Sequence, residues 1–175
     1  DGTPLFFFHG FPSSRFHAST THAVAKKLKI RVISIDRPGY GLSDFQNNRK
    51  LLDWPNDVVE LADTLHLKNF AVIGVSGGAP YASACAYKIP KRITKVGIVV
   101  GLCPLDVKGV LRGMSFFNRF SWSLYQTFPS LGSLTASLYL SRLRKVIDIF
   151  SFVYQSKSDR EIITKEMKES IALNQ

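Results

Sequence analysis

The chain has 175 residues, of which 45% are apolar and 21% are charged, a composition that is ordinary for one folded domain or most of a larger one and argues against disorder. The net charge is +10, but the basic residues are spread along the whole chain. Because a nucleic-acid-binding protein concentrates such charge on one face, we interpret it as a solvated surface and predict no nucleic-acid partner.

Apolar runs alternate with helical segments through the first hundred residues. The predicted strands are Leu5–Phe8, Arg31–Asp36, Phe70–Val75 and Lys95–Leu102, and the predicted helices cover about 15–28, 53–65 and 77–89. We expect the first helix to turn Phe16, Ala23, Val24 and Leu28 towards a core. Such alternation is typical of parallel βαβ units, so the sequence predicts an α/β fold, a parallel sheet with helices on both faces.

The alternation ends at Pro104, and residues 105–175 show helical spacing with turn signals. We predict a partial α/β core at 1–104 and a helical cap at 105–175. Aromatic residues crowd the segment 113–128. They could line an apolar pocket over Ser76, pack the cap on the core, or lie on a membrane with Arg112 and Arg119 at the polar face. The sequence leaves these alternatives open, and we favour packing for any single ring.

Ser76 stands at the end of the third predicted strand, within Gly74-Val75-Ser76-Gly77-Gly78. The glycines remove side chains around a turn that must be tight, and small residues at helical spacing follow. This is the G-x-S-x-G pattern, in which a strained turn between strand and helix exposes a nucleophilic serine. Three fixed letters are weak support alone, but the strand before and the helix after are what the pattern requires.

A second motif, His9-Gly10-Phe11-Pro12, follows the first predicted strand. Acyl transfer passes through a tetrahedral oxyanion that needs two preorganised N–H donors. One comes from the residue after the nucleophile and the other from a neighbouring loop. We predict the backbone N–H groups of Gly77 and Phe11 as these donors.

The motifs HGFP, DRPGYGLSD and GVSGGAPYA occur in this order within residues 4–104. Together they resemble the α/β-hydrolase superfamily, and most closely its HGxP group of esterases, epoxide hydrolases, haloperoxidase-like enzymes and proline iminopeptidases. The resemblance implies that Ser76 is the nucleophile and that a cap is inserted after the fourth strand. It also implies that Asp36 and Arg37 form a structural pair that stabilises a loop. Epoxide hydrolases of this group carry aspartate at the elbow, so Ser76 argues against that activity.

The catalytic triad implied by the resemblance is incomplete in this chain. Its usual order is Ser, then Asp or Glu, then His, yet no histidine follows Ser76. The acid is either Asp106 or a residue beyond Gln175, and Asp106 has an alternative role as a helix cap. Because the chain begins at Asp1 without methionine and ends in charged helical sequence, we expect it to be an inactive fragment that lacks its general base.

We therefore predict a serine hydrolase that cleaves an ester, amide or related bond of a small, fairly apolar molecule without a cofactor. The alternative is a non-catalytic protein of the same fold that binds a ligand or partner. Dinucleotide binding is disfavoured because neither G-x-G-x-x-G nor a P-loop is present. Cys85 and Cys103 have no metal or disulfide spacing, and we expect them to be mostly buried thiols. The sequence shows no membrane span or signal peptide, which favours the cytoplasm.

Overall fold

The computed structural model describes residues 2–104, 107–114, 116–128 and 130. The strands are β1 (Thr3–Phe8), β2 (Ile30–Ser34), β3 (Phe70–Val75) and β4 (Ile93–Val99), and the α-helices are α1 (His22–Lys27), α2 (Trp54–Thr64), α3 (Ala79–Lys88) and α4 (Phe116–Thr127). Short 3₁₀ helices cover Arg15–Thr21, Leu51–Asp53, Ser76–Gly78 and Val110–Gly113. The chain divides into two compact units, residues 1–107 and residues 108–175.

The four strands form one parallel sheet in the order β2-β1-β3-β4, which confirms the predicted α/β class. At the centre, Phe8 near the end of β1 is in register with Gly74 near the end of β3. Since parallel strands end at the same edge of a sheet, the segments after β1 and β3 leave side by side. The predicted second strand is too long, because β2 ends at Ser34 and leaves Asp36 in the loop beyond it.

Phe6, Phe7 and Phe8 of β1 are all buried. Successive residues of a strand point to opposite faces of the sheet. Both faces of β1 are therefore covered. On the face of Phe6 and Phe8, the core comprises Phe70 and Val72 of β3, Trp54, Val58 and Ala62 of α2, and Ala82 and Cys85 of α3. On the other face, the Phe7 ring meets the His17 ring edge-on at 5.4 Å between centroids.

The buried face predicted for the first helix is wrong. Residues 15–21 form a 3₁₀ helix and only His22–Lys27 is α-helical. The 3.6-residue period used to place Phe16 therefore does not apply to it, since a 3₁₀ helix has three residues per turn. Phe16, Ala23, Val24 and Leu28 are all exposed, and Ala25 is the buried apolar residue of α1.

The two thiols differ in environment. Cys85 of α3 is fully buried in the core, and this burial raises its pKa to about 12, so it is an unreactive packing residue. Cys103 is exposed, contrary to the expectation that both thiols are mostly buried.

In the second unit, the structure describes the 3₁₀ helix Val110–Gly113 and α4. Phe116 and Phe120 of α4 are exposed. The start of the cap at residue 105 stays a prediction, because residues 105 and 106 and all of 131–175 lie outside the described residues. Among the helices that the structure describes, none has the length and apolar character needed to cross a membrane.

Candidate active site

The turn between β3 and α3 is sharp. Ser76 has φ = +50°, in the left-handed region that non-glycine residues rarely adopt. A Cβ added to Gly74 would lie 2.7 Å from the carbonyl carbon of Gly78 and 2.8 Å from Cα of Ala79. Strand and helix therefore approach so closely that only glycine fits at Gly74. Ser76 is one of five non-glycine residues with positive φ among the described residues, and it is the one that lies in this turn; such backbone strain is common at functional sites.

The loop after β1 lies directly against this turn. A Cβ added to Gly10 would be 3.3 Å from Cβ of Ser76, and one added to Gly77 would be 3.3 Å from the backbone nitrogen of Phe11. The Phe11–Pro12 peptide bond is cis. The structure thus brings together Ser76, Phe11 and Gly77, the three predicted site residues that it describes. Asp106, the fourth, lies outside the described residues.

His9 is fully buried and both of its ring nitrogens are engaged. Nδ1 lies 2.9 Å from the carbonyl oxygen of Gly10, and Nε2 lies 3.4 Å from the backbone nitrogen of Arg37. We assign the neutral tautomer in which Nδ1–H donates to Gly10 and Nε2 accepts from Arg37. Desolvation is the main cause that lowers the pKa of His9, with the Arg37 charge adding to it. His9 therefore supports the loop and does not bind the Ser76 hydroxyl.

This lowered pKa makes a pH-dependent contribution to stability. Below about pH 6.5 an unfolded histidine takes up a proton that the buried His9 resists. The His9 contribution is therefore complete above that pH and is lost as pH falls below it towards the depressed folded-state pKa. We expect urea midpoints of the full-length protein to fall between pH 7 and pH 5, and the fall to be smaller in His9→Gln. His22→Gln, at an exposed histidine, is the control. An equal fall in wild type and His9→Gln would contradict this account.

Arg37 is the residue whose contacts the sequence did not predict. The carbon of its buried guanidinium lies 4.6 Å from the centroid of the Tyr40 ring and 4.5 Å from that of the Tyr81 ring. Nη1 donates to the carbonyl oxygen of Gly77 at 2.8 Å, and Nη2 donates to that of Gly10 at 3.2 Å. Nη2 is also 3.4 Å from His9 Nδ1. We interpret Arg37 Nη2 and His9 Nδ1 as two donors that share the carbonyl oxygen of Gly10.

Asp36 holds two loop segments, one at Arg15 and one at Leu42. Its carboxylate accepts hydrogen bonds from the backbone N–H of Arg15 at 2.6 Å and of Leu42 at 3.2 Å, and pairs with the Arg15 guanidinium. Burial alone would raise the pKa of this carboxyl, but these N–H donors and the Arg15 charge outweigh it and lower the pKa. Gly41, with φ = +55°, leaves no room for a Cβ against the carboxylate. Asp36 therefore acts as an ionised structural anchor.

A family model and similar sequences show the family to which this chain belongs. The family model described as "Alpha/beta hydrolase family" matches residues 5–161, which is most of the chain. The chain belongs to the alpha/beta hydrolase family. Proteins with similar sequences include a non-heme chloroperoxidase of Streptomyces lividans, 34% identical over 62% of this chain and 40% of that protein. A pimeloyl-[acyl-carrier protein] methyl ester esterase of Legionella pneumophila (strain Corby) is 29% identical over 76% of this chain and 55% of that protein.

Solved α/β hydrolases share the fold. An extracellular α/β-hydrolase from a Paenibacillus species superposes with a TM-score of 0.56 at 21% identity, over 73% of this chain and 52% of that one. The chain spans about half the length of the curated relatives it matches.

Among the residues that the structure describes, no group of three His, Cys, Asp or Glu side chains could hold a metal ion.

Proposed function

We propose that the full-length protein is a serine hydrolase and that Ser76 is its nucleophile. The observation that carries the proposal is the left-handed backbone of Ser76 at the apex of the turn, with the Phe11 amide nitrogen beside the next residue, Gly77. In this reaction the Ser76 oxygen forms a bond to the carbonyl carbon of the substrate and its proton passes to a general base. The leaving group then departs as the acyl-enzyme forms, and water releases the acid.

The tetrahedral intermediate carries a negative oxygen that needs donors fixed in advance. Backbone N–H groups of Phe11 and Gly77 are suited to this role because both belong to tightly packed loops at the carboxyl edge of the sheet. Loss of one such donor costs about 100- to 1,000-fold in kcat in enzymes of this kind. The start of α3 near Gly77 adds a favourable dipole.

The proton acceptor must come from elsewhere in the protein. No histidine follows Ser76 in the sequence, and both ring nitrogens of His9 have other partners. Since the chain spans about half the length of its relatives, we propose that the general base lies in the remainder of the protein. The acid is either Asp106 or a residue of that remainder.

Acyl compounds are the substrate class that this site fits best. A serine at the elbow forms an acyl-enzyme with esters and amides, and the exposed ring of Phe11 beside the elbow offers apolar surface to a small substrate. The relative from Legionella pneumophila is named as a methyl ester esterase, which agrees with ester hydrolysis. We propose a small, fairly apolar ester or amide and no cofactor.

A fluorophosphonate probe tests the proposal. In the full-length protein, mass spectrometry should find the probe on Ser76, and Ser76→Ala should abolish labelling. Ser83→Ala is the matched control, because Ser83 lies in α3 and only donates to the Ala79 carbonyl of the preceding turn. The 175-residue chain alone should label far more slowly than the full-length protein. Absence of Ser76 labelling in the full-length protein would reject the proposal and favour a ligand-binding protein of the same fold.

A further inference from the structure

The Gly10–Phe11 peptide has its carbonyl side fully occupied. The Gly10 oxygen accepts hydrogen bonds from His9 Nδ1 at 2.9 Å and from Arg37 Nη2 at 3.2 Å. A trans peptide is planar, so its C=O and N–H point in opposite directions. Holding the Gly10 oxygen on one side therefore aims the Phe11 N–H to the other side.

The same guanidinium also binds the second donor loop. Nη1 of Arg37 donates to the Gly77 carbonyl oxygen at 2.8 Å. Because the guanidinium is a rigid, planar fork, its two hydrogen bonds fix the spacing between the Gly10 and Gly77 carbonyls. These belong to the two loops that carry the proposed oxyanion donors. The rings of Tyr40 and Tyr81 both contact the guanidinium and restrict its movement.

Asp36, the neighbour of Arg37, holds the other end of the same loop. Its carboxylate accepts the backbone N–H of Arg15, five residues after Gly10. Two consecutive residues after β2 therefore hold both ends of the segment that contains Phe11. Arg37 is buried, and burying a charge is costly. An apolar side chain would fill the space at lower cost but could not bind either carbonyl.

We propose that Arg37 is a positioning residue for the oxyanion hole: it aims the Phe11 N–H and sets its distance from Gly77. The inference rests on the proposed function of Ser76 and deepens it. The positive charge on the carbonyl side also polarises the Gly10–Phe11 peptide, which makes its N–H a stronger donor. Loss of Arg37 should therefore destabilise the transition state, where the oxyanion forms, more than it weakens substrate binding.

Kinetics of the full-length protein test this role with a matched control. Arg92 resembles Arg37: it donates to the carbonyl oxygens of Lys68 (2.7 Å) and Leu67 (2.8 Å) and lies 5.8 Å from the Phe70 ring centroid, but at the opposite edge of the sheet. With p-nitrophenyl acetate, Arg37→Met should lower kcat about 10- to 100-fold with little change in KM. Arg37→Lys should recover part of the loss. Arg92→Met should lower the unfolding temperature but leave kcat unchanged.

The Phe11 amide gives a second readout that does not depend on turnover. In protein labelled with ¹⁵N-phenylalanine, the Phe11 cross-peak should shift in Arg37→Met and Arg37→Lys and stay in place in Arg92→Met. An unchanged Phe11 peak, or a kcat in both Arg37 variants equal to that of Arg92→Met, would overturn the proposal. If Arg37→Met does not fold, Arg37→Lys carries both measurements. If the wild type shows no Ser76-dependent turnover, the proposed function fails, and the Phe11 peak still decides whether Arg37 positions that amide.

Discussion

Ser76→Ala is expected to lower kcat for ester hydrolysis by the full-length protein by about 10⁴-fold or more, with little change in KM. The reason is that the variant loses the only atom that forms the acyl bond, whereas the loops that bind the substrate keep their geometry. Alanine and serine carry the same single Cβ on the backbone, so the substitution adds no steric conflict at the positive φ of Ser76. The fold of the variant should therefore match that of the wild type.

The measurement is the steady-state hydrolysis of p-nitrophenyl acetate by purified wild-type and variant proteins, with circular dichroism to verify folding. Ser83→Ala, seven residues further along, should retain wild-type kcat because its hydroxyl only donates to Ala79. A folded Ser76→Ala protein with wild-type turnover would show that another residue is the nucleophile.

Much of the elbow could be predicted because its requirements are local. A buried strand, glycines around a turn and small residues in the next helix each leave a mark in the sequence, and β3 has the bounds predicted for it, Phe70–Val75. Phe11 and Gly77 are predicted from the chemistry of acyl transfer, which needs one N–H donor after the nucleophile and one from a neighbouring loop. In the structure these loops are close because the parallel strands β1 and β3 end at the same edge of the sheet.

The contacts of Arg37 could not be predicted in the same way. Its acceptors are the backbone carbonyls of Gly10 and Gly77, and every residue has a carbonyl, so no sequence pattern identifies the pair. The prediction of the buried face of the first helix is wrong for a different reason. The sequence predicts an α-helix over 15–28, but Arg15–Thr21 forms a 3₁₀ helix, in which side chains repeat every three residues and not every 3.6.

Gly78→Ala is expected to destabilise the protein by about 3 kcal/mol or more, a large share of the stability of an ordinary domain. The N-cap preference for glycine over alanine is a small term, about 1 kcal/mol or less, and Gly78, the N-cap of α3, has helical dihedrals of −82° and −18° that alanine adopts readily. The steric term is larger. A Cβ would lie 2.8 Å from the carbonyl carbon of Phe8 and 2.9 Å from the oxygen of His9, and closer still to the Phe8 oxygen.

Those atoms cannot yield easily, because Phe8 is fully buried near the end of the central strand β1. The added methyl group must push α3 away from β1, which also separates Ser76 from the loop that carries Phe11. Gly97→Ala in β4 is the matched control, since its Cβ would meet only the flexible Ile73 side chain, at 3.1 Å. Urea unfolding should give a much lower midpoint for Gly78→Ala than for Gly97→Ala, or Gly78→Ala alone should be insoluble. Equal midpoints would mean that strand and helix are less tightly packed than this geometry requires.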